Sequence, residues 1–200
     1  PSAVDLERRL EAGRVAGLRA ELDIPAGARV GLTVGTLVEQ KDPMTLVRAL
    51  PHLPEDYVHV WIGPGELQRE ASLLADYLDV AERLRLFGFD PDPDRWFAIA
   101  DVFVLPSVHE GLGSVLLDAL HFGVPVVVSD IPATADLIED EISGLRVPPR
   151  RPRELADAVA RAMEDPALVE RLVREGHRRV RDHDIRRTAD LYLELYRELG

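Results

Sequence analysis

Residues 102–128, VFVLPSVHEGLGSVLLDALHFGVPVVV, decide the fold class. The apolar run at 102–105 is typical of a parallel strand that is buried on both faces. A turn with two glycines separates this run from a predicted helix over 113–122, and a second apolar run follows at 124–128. A strand, a helix and another strand in this order predict parallel pairing, because a right-handed helical crossover joins parallel neighbours.

The same alternation of strand and helix runs through most of the chain. Further strands are predicted at 29–34, 57–62, 83–87 and 144–147, and further helices at 43–50, 66–78, 94–98, 135–138, 153–163 and 166–181. We therefore predict an α/β fold, a doubly wound Rossmann-like parallel sheet that forms a single domain over 29–183. Residues 1–28 are predicted to be a helical appendage, with a helix over 6–22, and residues 184–200 a C-terminal helix.

Composition excludes several classes of protein. The 200 residues carry 36 acidic and 24 basic side chains, for a net charge of −12, which argues against binding to nucleic acid. Cysteine is absent, so neither disulfides nor thiolate metal sites exist, and we expect a cytoplasmic protein. No apolar stretch approaches the roughly twenty residues of a membrane span. The start of the chain, without methionine or signal peptide, is typical of a piece of a longer protein.

The turns at the carboxyl ends of the strands are the candidate binding sites, because ligands of open parallel sheets bind there. Three of them place glycines before a helix, where free backbone N–H groups and the helix dipole favour an anion. Lys41, the only lysine, would stand at the positive end of helix 43–50, an unfavourable position that a bound phosphate would relieve. The alternative is an ordinary solvated lysine.

Two carboxylates follow the apolar run at 102–105. Glu110 lies in the turn and Asp118 lies eight residues later on the next helix, a placement that suits a hydroxyl-rich ligand such as a hexose or a ribose. The alternatives are a helix cap for Glu110 and a solvated acid for Asp118. His109, next to Glu110, is either a surface residue or a catalytic acid.

At this stretch the sequence resembles the C-terminal, nucleotide-sugar-binding domain of GT-B glycosyltransferases, specifically the retaining group-1 (family 4) enzymes. The segments that carry the resemblance follow the family's order: VGTLVEQKDP at 34–43, WIGPG at 61–65, LFGF at 86–89, ADVFVLPS at 100–107, EGLG at 110–113, ALHFGVPV at 119–126, SGL at 143–145 and VPP at 147–149. The resemblance implies that the chain is one half of a GT-B fold.

The resemblance also implies a role for each candidate residue. Glu110 is the first acid of the family's Glu-x7-Glu motif and would contact the donor sugar, and Asp118 would contact the ribose. Lys41 matches the lysine that binds the diphosphate, so Lys41 and Glu110 are the predicted catalytic residues, with no metal or other cofactor. The implied donor-binding set also includes Gly35, Thr36, Gly63, Phe87, Gly88, Phe89, His109, Gly111, Leu112, Gly113 and Ser114.

Two residues depart from the family's pattern. Thr36 stands where the family has an arginine that contacts the diphosphate, and Asp118 is one methylene shorter than the usual glutamate. Loss of one charge-assisted contact costs about 1.5–3 kcal/mol. Either another cation replaces the arginine, from Arg95 or from the missing half of the enzyme, or the activity is reduced.

The implied reaction is a retaining transfer of a hexosyl unit from a nucleoside-diphosphate sugar to an acceptor hydroxyl. A separate N-terminal domain, missing here, would bind the acceptor, and the full-length enzyme would be peripheral to a membrane. We therefore expect no turnover by this chain alone. The alternatives are a nucleotide-sugar-binding module that is catalytically weak or degenerate, and a UDP-sugar 2-epimerase-like protein.

Overall fold

The computed structural model describes residues 4–5, 17–111 and 113–184. The predicted C-terminal helix, most of the predicted helix at 6–22, and Leu112 lie outside these residues. The strands are β1 (Arg29–Val34), β2 (Tyr57–Ile62), β3 (Leu84–Phe87), β4 (Val102–Leu105), β5 (Val126–Ser129) and β6 (Leu145–Val147). The described helices are α1 (Leu18–Glu21), α2 (Pro43–Ala49), α3 (Gln68–Tyr77), α4 (Asp94–Phe97), α5 (Ser114–His121), α6 (Pro132–Ala135), α7 (Pro152–Glu164) and α8 (Pro166–Arg181), with 3-10 turns at Glu39–Lys41, Leu50–His52 and Ala81–Arg83.

All strand pairs in the sheet are parallel, and their spatial order is β3-β2-β1-β4-β5-β6. The predicted doubly wound, Rossmann-like sheet is confirmed. β1 pairs with β2 along its whole length, from Arg29 with Tyr57 to Val34 with Ile62. The order of connection reverses between β1 and β4, so the carboxyl ends of these two strands form the topological switch point of the sheet. Ligands of open α/β sheets bind at this kind of switch point.

Apolar layers cover both faces of the sheet. One layer packs α4 and α5 against strand side chains that include Leu32, Val60 and Phe103. The other packs α2, α3 and α7 against side chains that include Trp61 and Val104. Because helices cover both faces, every residue of β2, β4 and β5 is buried. This burial explains why the central strands appear in the sequence as continuous apolar runs and not as alternating ones.

Helix α6 begins earlier than the sequence predicts. The predicted helix at 135–138 is wrong in position, since the structure has it at Pro132–Ala135. Proline suits a first helical turn, where its missing N–H is not needed. The Thr134 hydroxyl donates to the carbonyl of Ser129 at 2.5 Å and accepts from the N–H of Ile131 at 3.2 Å, which fixes the start of the turn. The other described strands and α-helices agree with their predicted bounds within two residues, except that α1 begins only at Leu18, inside the helix predicted over 6–22.

The described part of the N-terminal segment packs against the sheet. Leu18, Leu22 and Ile24 are buried in the same apolar layer as α5. Arg19 donates to the carbonyl of Ala28, which ties α1 to the start of β1. The proposed boundaries after residues 28 and 183 stay predictions. Within the described ranges, no helix has both the length and the low charge that crossing a bilayer requires.

A chain of buried polar side chains links β2, β1 and β4. The Nδ1 atom of His59 lies 2.8 Å from the Tyr57 hydroxyl, its Nε2 atom lies 3.0 Å from the Thr33 hydroxyl, and Thr33 donates to the carbonyl of Val104 at 2.6 Å. Since Thr33 uses its proton on Val104, it accepts from Nε2–H, and Nδ1 accepts from Tyr57. Burial lowers the pKa of His59 to about 3, so the ring is neutral. Gly31 makes room for this chain, because a Cβ there would lie 1.7 Å from the Tyr57 hydroxyl oxygen.

Candidate functional site

The loops that follow β1 and β4 are joined at the switch point. The backbone N–H groups of Val108 and His109 donate to the carbonyl of Gln40, at 2.9 and 3.3 Å. These bonds fix the loop that carries Glu110 against the 3-10 turn that ends at Lys41. Two segments far apart in the sequence thereby form one site.

Lys41 and Glu110 form an ion pair across this junction. The Lys41 Nζ atom lies 2.5 Å from Glu110 Oε1, and the two side chains are 18% and 7% exposed. Because the pair is largely removed from water, its charge-assisted hydrogen bond is stronger than a similar contact on the surface. The structure thus brings the two predicted catalytic residues into direct contact.

Ser107 is a third member of this site. Its hydroxyl donates to the same Glu110 Oε1 atom at 2.5 Å, and the residue is fully buried directly beyond the end of β4. Ser107 was not among the predicted site residues. A signal was available, because Ser107 is a polar side chain just past an apolar strand and only three positions before Glu110. We refer to Lys41, Glu110 and Ser107 together as the Glu110 cluster.

Asp42 removes the electrostatic conflict predicted for Lys41. Asp42 is the N-cap of α2, and its carboxylate accepts from the Thr45 N–H at 3.1 Å and from the Thr45 hydroxyl at 2.6 Å. This carboxylate offsets the positive end of α2, and Glu110 offsets the ammonium of Lys41. The predicted conflict is therefore offset within the protein itself, and the binding of a phosphate beside Lys41 stays a prediction.

Helix α5 begins beside the Glu110 cluster. Its N-cap is Gly113, which has a φ of 57° in the left-handed region that favours glycine, and it makes no side-chain cap hydrogen bond. The Leu116 N–H already donates to the Gly113 carbonyl at 2.9 Å. Gly113 thus leaves the start of α5 without a side-chain cap, which is the kind of helix start at which anions bind. Gly111 and Ser114, on either side of the cap, are exposed.

The two remaining polar candidates of this segment differ in burial. His109 is exposed in the turn, whereas Asp118 is half-buried on α5, in the second turn of the helix. Their predicted contacts with a sugar and a ribose stay predictions. Leu112, between the two glycines of the turn, lies outside the described residues.

Close approach of two loops explains the glycine at 63. A Cβ on Gly63 would lie 2.3 Å from the Gly35 carbonyl oxygen, and that oxygen also accepts from Trp61 Nε1 at 2.8 Å. A Cβ on Gly35 would lie 3.4 Å from Lys41 Cε, so Gly35 borders the stem of the lysine. Thr36, the next residue, is exposed. Gly35 and Thr36 therefore border the Lys41 side of the site, and Gly63 permits the approach of the β2 loop.

Asp90 organises the loop that follows β3. Its carboxylate accepts from Arg95 Nε at 2.9 Å, from Trp96 Nε1 at 2.7 Å and from the Asp92 N–H at 2.9 Å. Burial by itself would raise the pKa of Asp90, but these hydrogen bonds and the charge of Arg95 outweigh it and lower the pKa. Arg95 also lies 3.6 Å from a carboxylate oxygen of Glu21. Arg95 is thus paired with two carboxylates, those of Asp90 and Glu21. It is therefore not a free cation that could take the place of the arginine absent at position 36.

The same loop presents one aromatic side chain to solvent. Phe87 packs on the ring of Trp96, with the centroids 5.0 Å apart, and Asp90 holds the other end of the loop. Between these anchors, Gly88 is exposed and the side chain of Phe89 is 77% exposed. The loop is therefore held at both ends beside β3, the edge strand of the sheet. Within the described residues, no group of three His, Asp or Glu side chains is placed to hold a metal ion.

The sequence matches one protein family over most of its length. The family model for glycosyl transferases group 1 matches residues 16–179. The lipopolysaccharide core biosynthesis glycosyltransferase LpsE of Rhizobium meliloti is 36% identical over 186 residues, which cover 92% of this chain and 54% of LpsE. The chain therefore spans about half the length of the curated relatives it matches.

Solved structures share the fold. HepE of Anabaena in complex with UDP-glucose has a TM-score of 0.90 at 21% identity, over 98% of this chain and 56% of HepE. The C-terminal domain of a group 1 glycosyl transferase family protein from Francisella tularensis has a TM-score of 0.77 at 20% identity, over 91% of this chain and 99% of that domain. The sheet order agrees with these likenesses, and the match over residues 16–179 assigns the family. The chain belongs to the group 1 glycosyl transferases.

Proposed function

We propose that this chain is the donor-binding domain of an enzyme that transfers a hexosyl unit from a nucleoside-diphosphate sugar to an acceptor hydroxyl, with retention. One observation carries the proposal: the contact between Lys41 and Glu110 at the switch point, beside the open N-terminus of α5. A cation, a carboxylate and free N–H groups in one place suit a ligand with both phosphates and hydroxyls.

The positive groups of the site suit the diphosphate. Lys41 and the first N–H groups of α5 would stabilise the charge that develops on the diphosphate as it leaves the sugar. These groups would offer positive charge to the phosphates although the whole chain carries a net charge of −12. The proposal therefore requires no metal or other cofactor.

The acidic groups suit the hydroxyls. Both donors that the described residues offer to Glu110 use Oε1, which leaves Oε2 to accept hydrogen bonds from the sugar. Asp118 would contact the ribose, and the loop at 87–89 would support the base. The complex of HepE with UDP-glucose supports this choice of ligand class, since HepE shares the fold.

The rest of a longer protein would supply the acceptor site. We expect this chain to bind the donor without turning it over, and we expect the complete enzyme to work in the cytoplasm at the periphery of a membrane. A second candidate, a binding module with weak catalysis, is favoured by two observations. Thr36 offers no charge to the diphosphate, and Arg95 is held by Asp90 and Glu21.

Ligand titration of the chain tests the proposal. Isothermal titration calorimetry with UDP, GDP, ADP and the glucose conjugate of each should reveal at least one nucleotide that binds. Lys41→Ala should weaken that binding by about tenfold to a hundredfold, because a charge-assisted contact is lost. Arg48→Ala, which removes an exposed cation in the last turn of α2, is the matched control and should have little effect. The absence of binding by all six compounds would refute the donor-site assignment.

A further inference from the structure

Glu110 receives two different donors on one oxygen. The Lys41 ammonium and the Ser107 hydroxyl both lie 2.5 Å from Oε1. Lys41 reaches this atom with a long flexible side chain, whereas Ser107 is fully buried immediately after β4 and reaches it with a single rotatable bond. The two donors therefore hold the carboxylate with different rigidity.

A bound diphosphate would compete for only one of these donors. The ammonium of Lys41 is attracted to phosphate and would divide its N–H groups between phosphate and Glu110. The hydroxyl of Ser107 is uncharged and enclosed by protein, so it stays on Oε1. Once the donor is bound, the orientation of the carboxylate would depend mainly on Ser107.

From this geometry we propose that Ser107 is a positioning residue that holds Glu110 with Oε2 directed at the donor sugar. The inference rests on the proposed function, because it assumes that Glu110 contacts the sugar. Ser107 itself touches neither sugar nor phosphate in this scheme. It acts by limiting the rotation of the Glu110 carboxylate, in the way that supporting hydrogen bonds fix the groups that contact a ligand.

Positioning and purely structural roles predict different binding data. If Ser107 only stabilised the fold, removing its hydroxyl would weaken the binding of nucleoside diphosphates and of their sugar conjugates to the same extent. If Ser107 positions Glu110, only the ligands that carry the sugar lose affinity. The ratio of the two affinities therefore separates the roles.

The experiment compares Ser107→Ala and Ser107→Thr by calorimetry with UDP, GDP, ADP and their glucose conjugates. For the nucleotide that binds, Ser107→Ala should leave the Kd of the diphosphate within about twofold and raise the Kd of the glucose conjugate about tenfold, the effect of one hydrogen bond to a charged group. Ser107→Thr keeps the hydroxyl and should restore most of the difference. Ser143→Ala, which removes a buried hydroxyl that accepts from the Glu139 N–H, is the matched control and should change neither Kd.

Each outcome is decisive. Equal weakening of both ligands by Ser107→Ala, or no weakening of either, would overturn the inference while leaving the proposed function intact. A lack of binding to the unaltered chain would instead overturn the proposed function. If Ser107→Ala does not fold, Ser107→Cys is compared in its place, since a thiol has similar size but is a poor donor and should show the same loss confined to the sugar.

Discussion

The Nζ atom of Lys41 lies 2.5 Å from Oε1 of Glu110, so the single lysine of the chain neutralises the carboxylate that follows β4. Both groups are shielded from water, with 18% and 7% of their side chains exposed. Since neither charge is fully solvated, each is stabilised by the opposite charge of its partner. The pair therefore contributes to the stability of the fold at the place where we propose that the donor binds.

Removing both partners of this pair should cost less than the sum of the two single removals. Lys41→Met or Glu110→Gln alone should each lower the free energy of unfolding by about 1–3 kcal/mol, because a partly buried charge loses its partner. The double variant should lose clearly less than the sum of the two. Urea denaturation of the four proteins measures this coupling, and additive losses would show that the pair contributes nothing.

Protonation of His59 should destabilise the protein at mildly acidic pH. The ring is buried and neutral, because burial lowers its pKa to about 3 from the ordinary histidine value of 6.5. The unfolded chain therefore binds a proton below pH about 6.5 that the folded chain does not, and stability falls as the pH falls through this range. From pH 7 to 4.5 this group should remove roughly 2–3 kcal/mol.

The measurement is the free energy of unfolding at several pH values for the unaltered chain and for His59→Gln. The variant should be less stable at pH 7 by about 1–3 kcal/mol, because Tyr57 and Thr33 lose their common partner. Its stability should depend less steeply on pH between 7 and 4.5. His52→Gln, which changes an exposed histidine, should leave the slope unchanged. Parallel curves for His59→Gln and the unaltered chain would contradict the assignment.

Gly113→Ala should disturb the start of α5. The φ of 57° at Gly113 costs a residue with a Cβ about 1–2 kcal/mol, and we expect the free energy of unfolding to fall by this amount. The first turn of α5 should also shift, so nucleotide binding should weaken several-fold. In Gly111→Ala the new Cβ meets no atom within 4 Å, and this neighbour serves as the control for stability. Equal losses for the two variants in thermal unfolding, or unchanged nucleotide binding by Gly113→Ala in calorimetry, would disprove a special role for Gly113.

Asp90→Asn should loosen the loop that follows β3. The amide cannot replace the carboxylate that holds Arg95 and Trp96, so we expect a loss of about 1–3 kcal/mol at pH 7. The pKa of Asp90 in the folded protein is lowered below the ordinary aspartate value of 3.8. Its contribution to stability is therefore present above about pH 3.8 and is lost as the pH falls through the lower folded pKa. In Asp76→Asn, on the exposed face of α3, this loss should be absent. Chemical denaturation at pH 7 and pH 3 tests both statements.

The sequence determined the elements and the family. The apolar runs at 102–105 and 124–128 predicted buried parallel strands correctly, because helices on both faces remove the side chains of these strands from water. Glu110 and Lys41 were predicted as site residues from turn positions and family motifs, since both signals lie in short contiguous segments. Such local patterns are visible without knowing how the strands are ordered.

Only the tertiary structure decided which side chains meet. The contact of Lys41 with Glu110 depends on β1 lying beside β4, a neighbour relation that the order β3-β2-β1-β4-β5-β6 creates. The bond from Ser107 to Glu110 depends on side-chain directions within the turn, which the spacing of three residues does not specify. Packing likewise brings Asp90 into contact with Arg95, so this arginine is already paired and is not a free cation. Periodicity and composition describe one segment at a time, whereas these charges are balanced between segments.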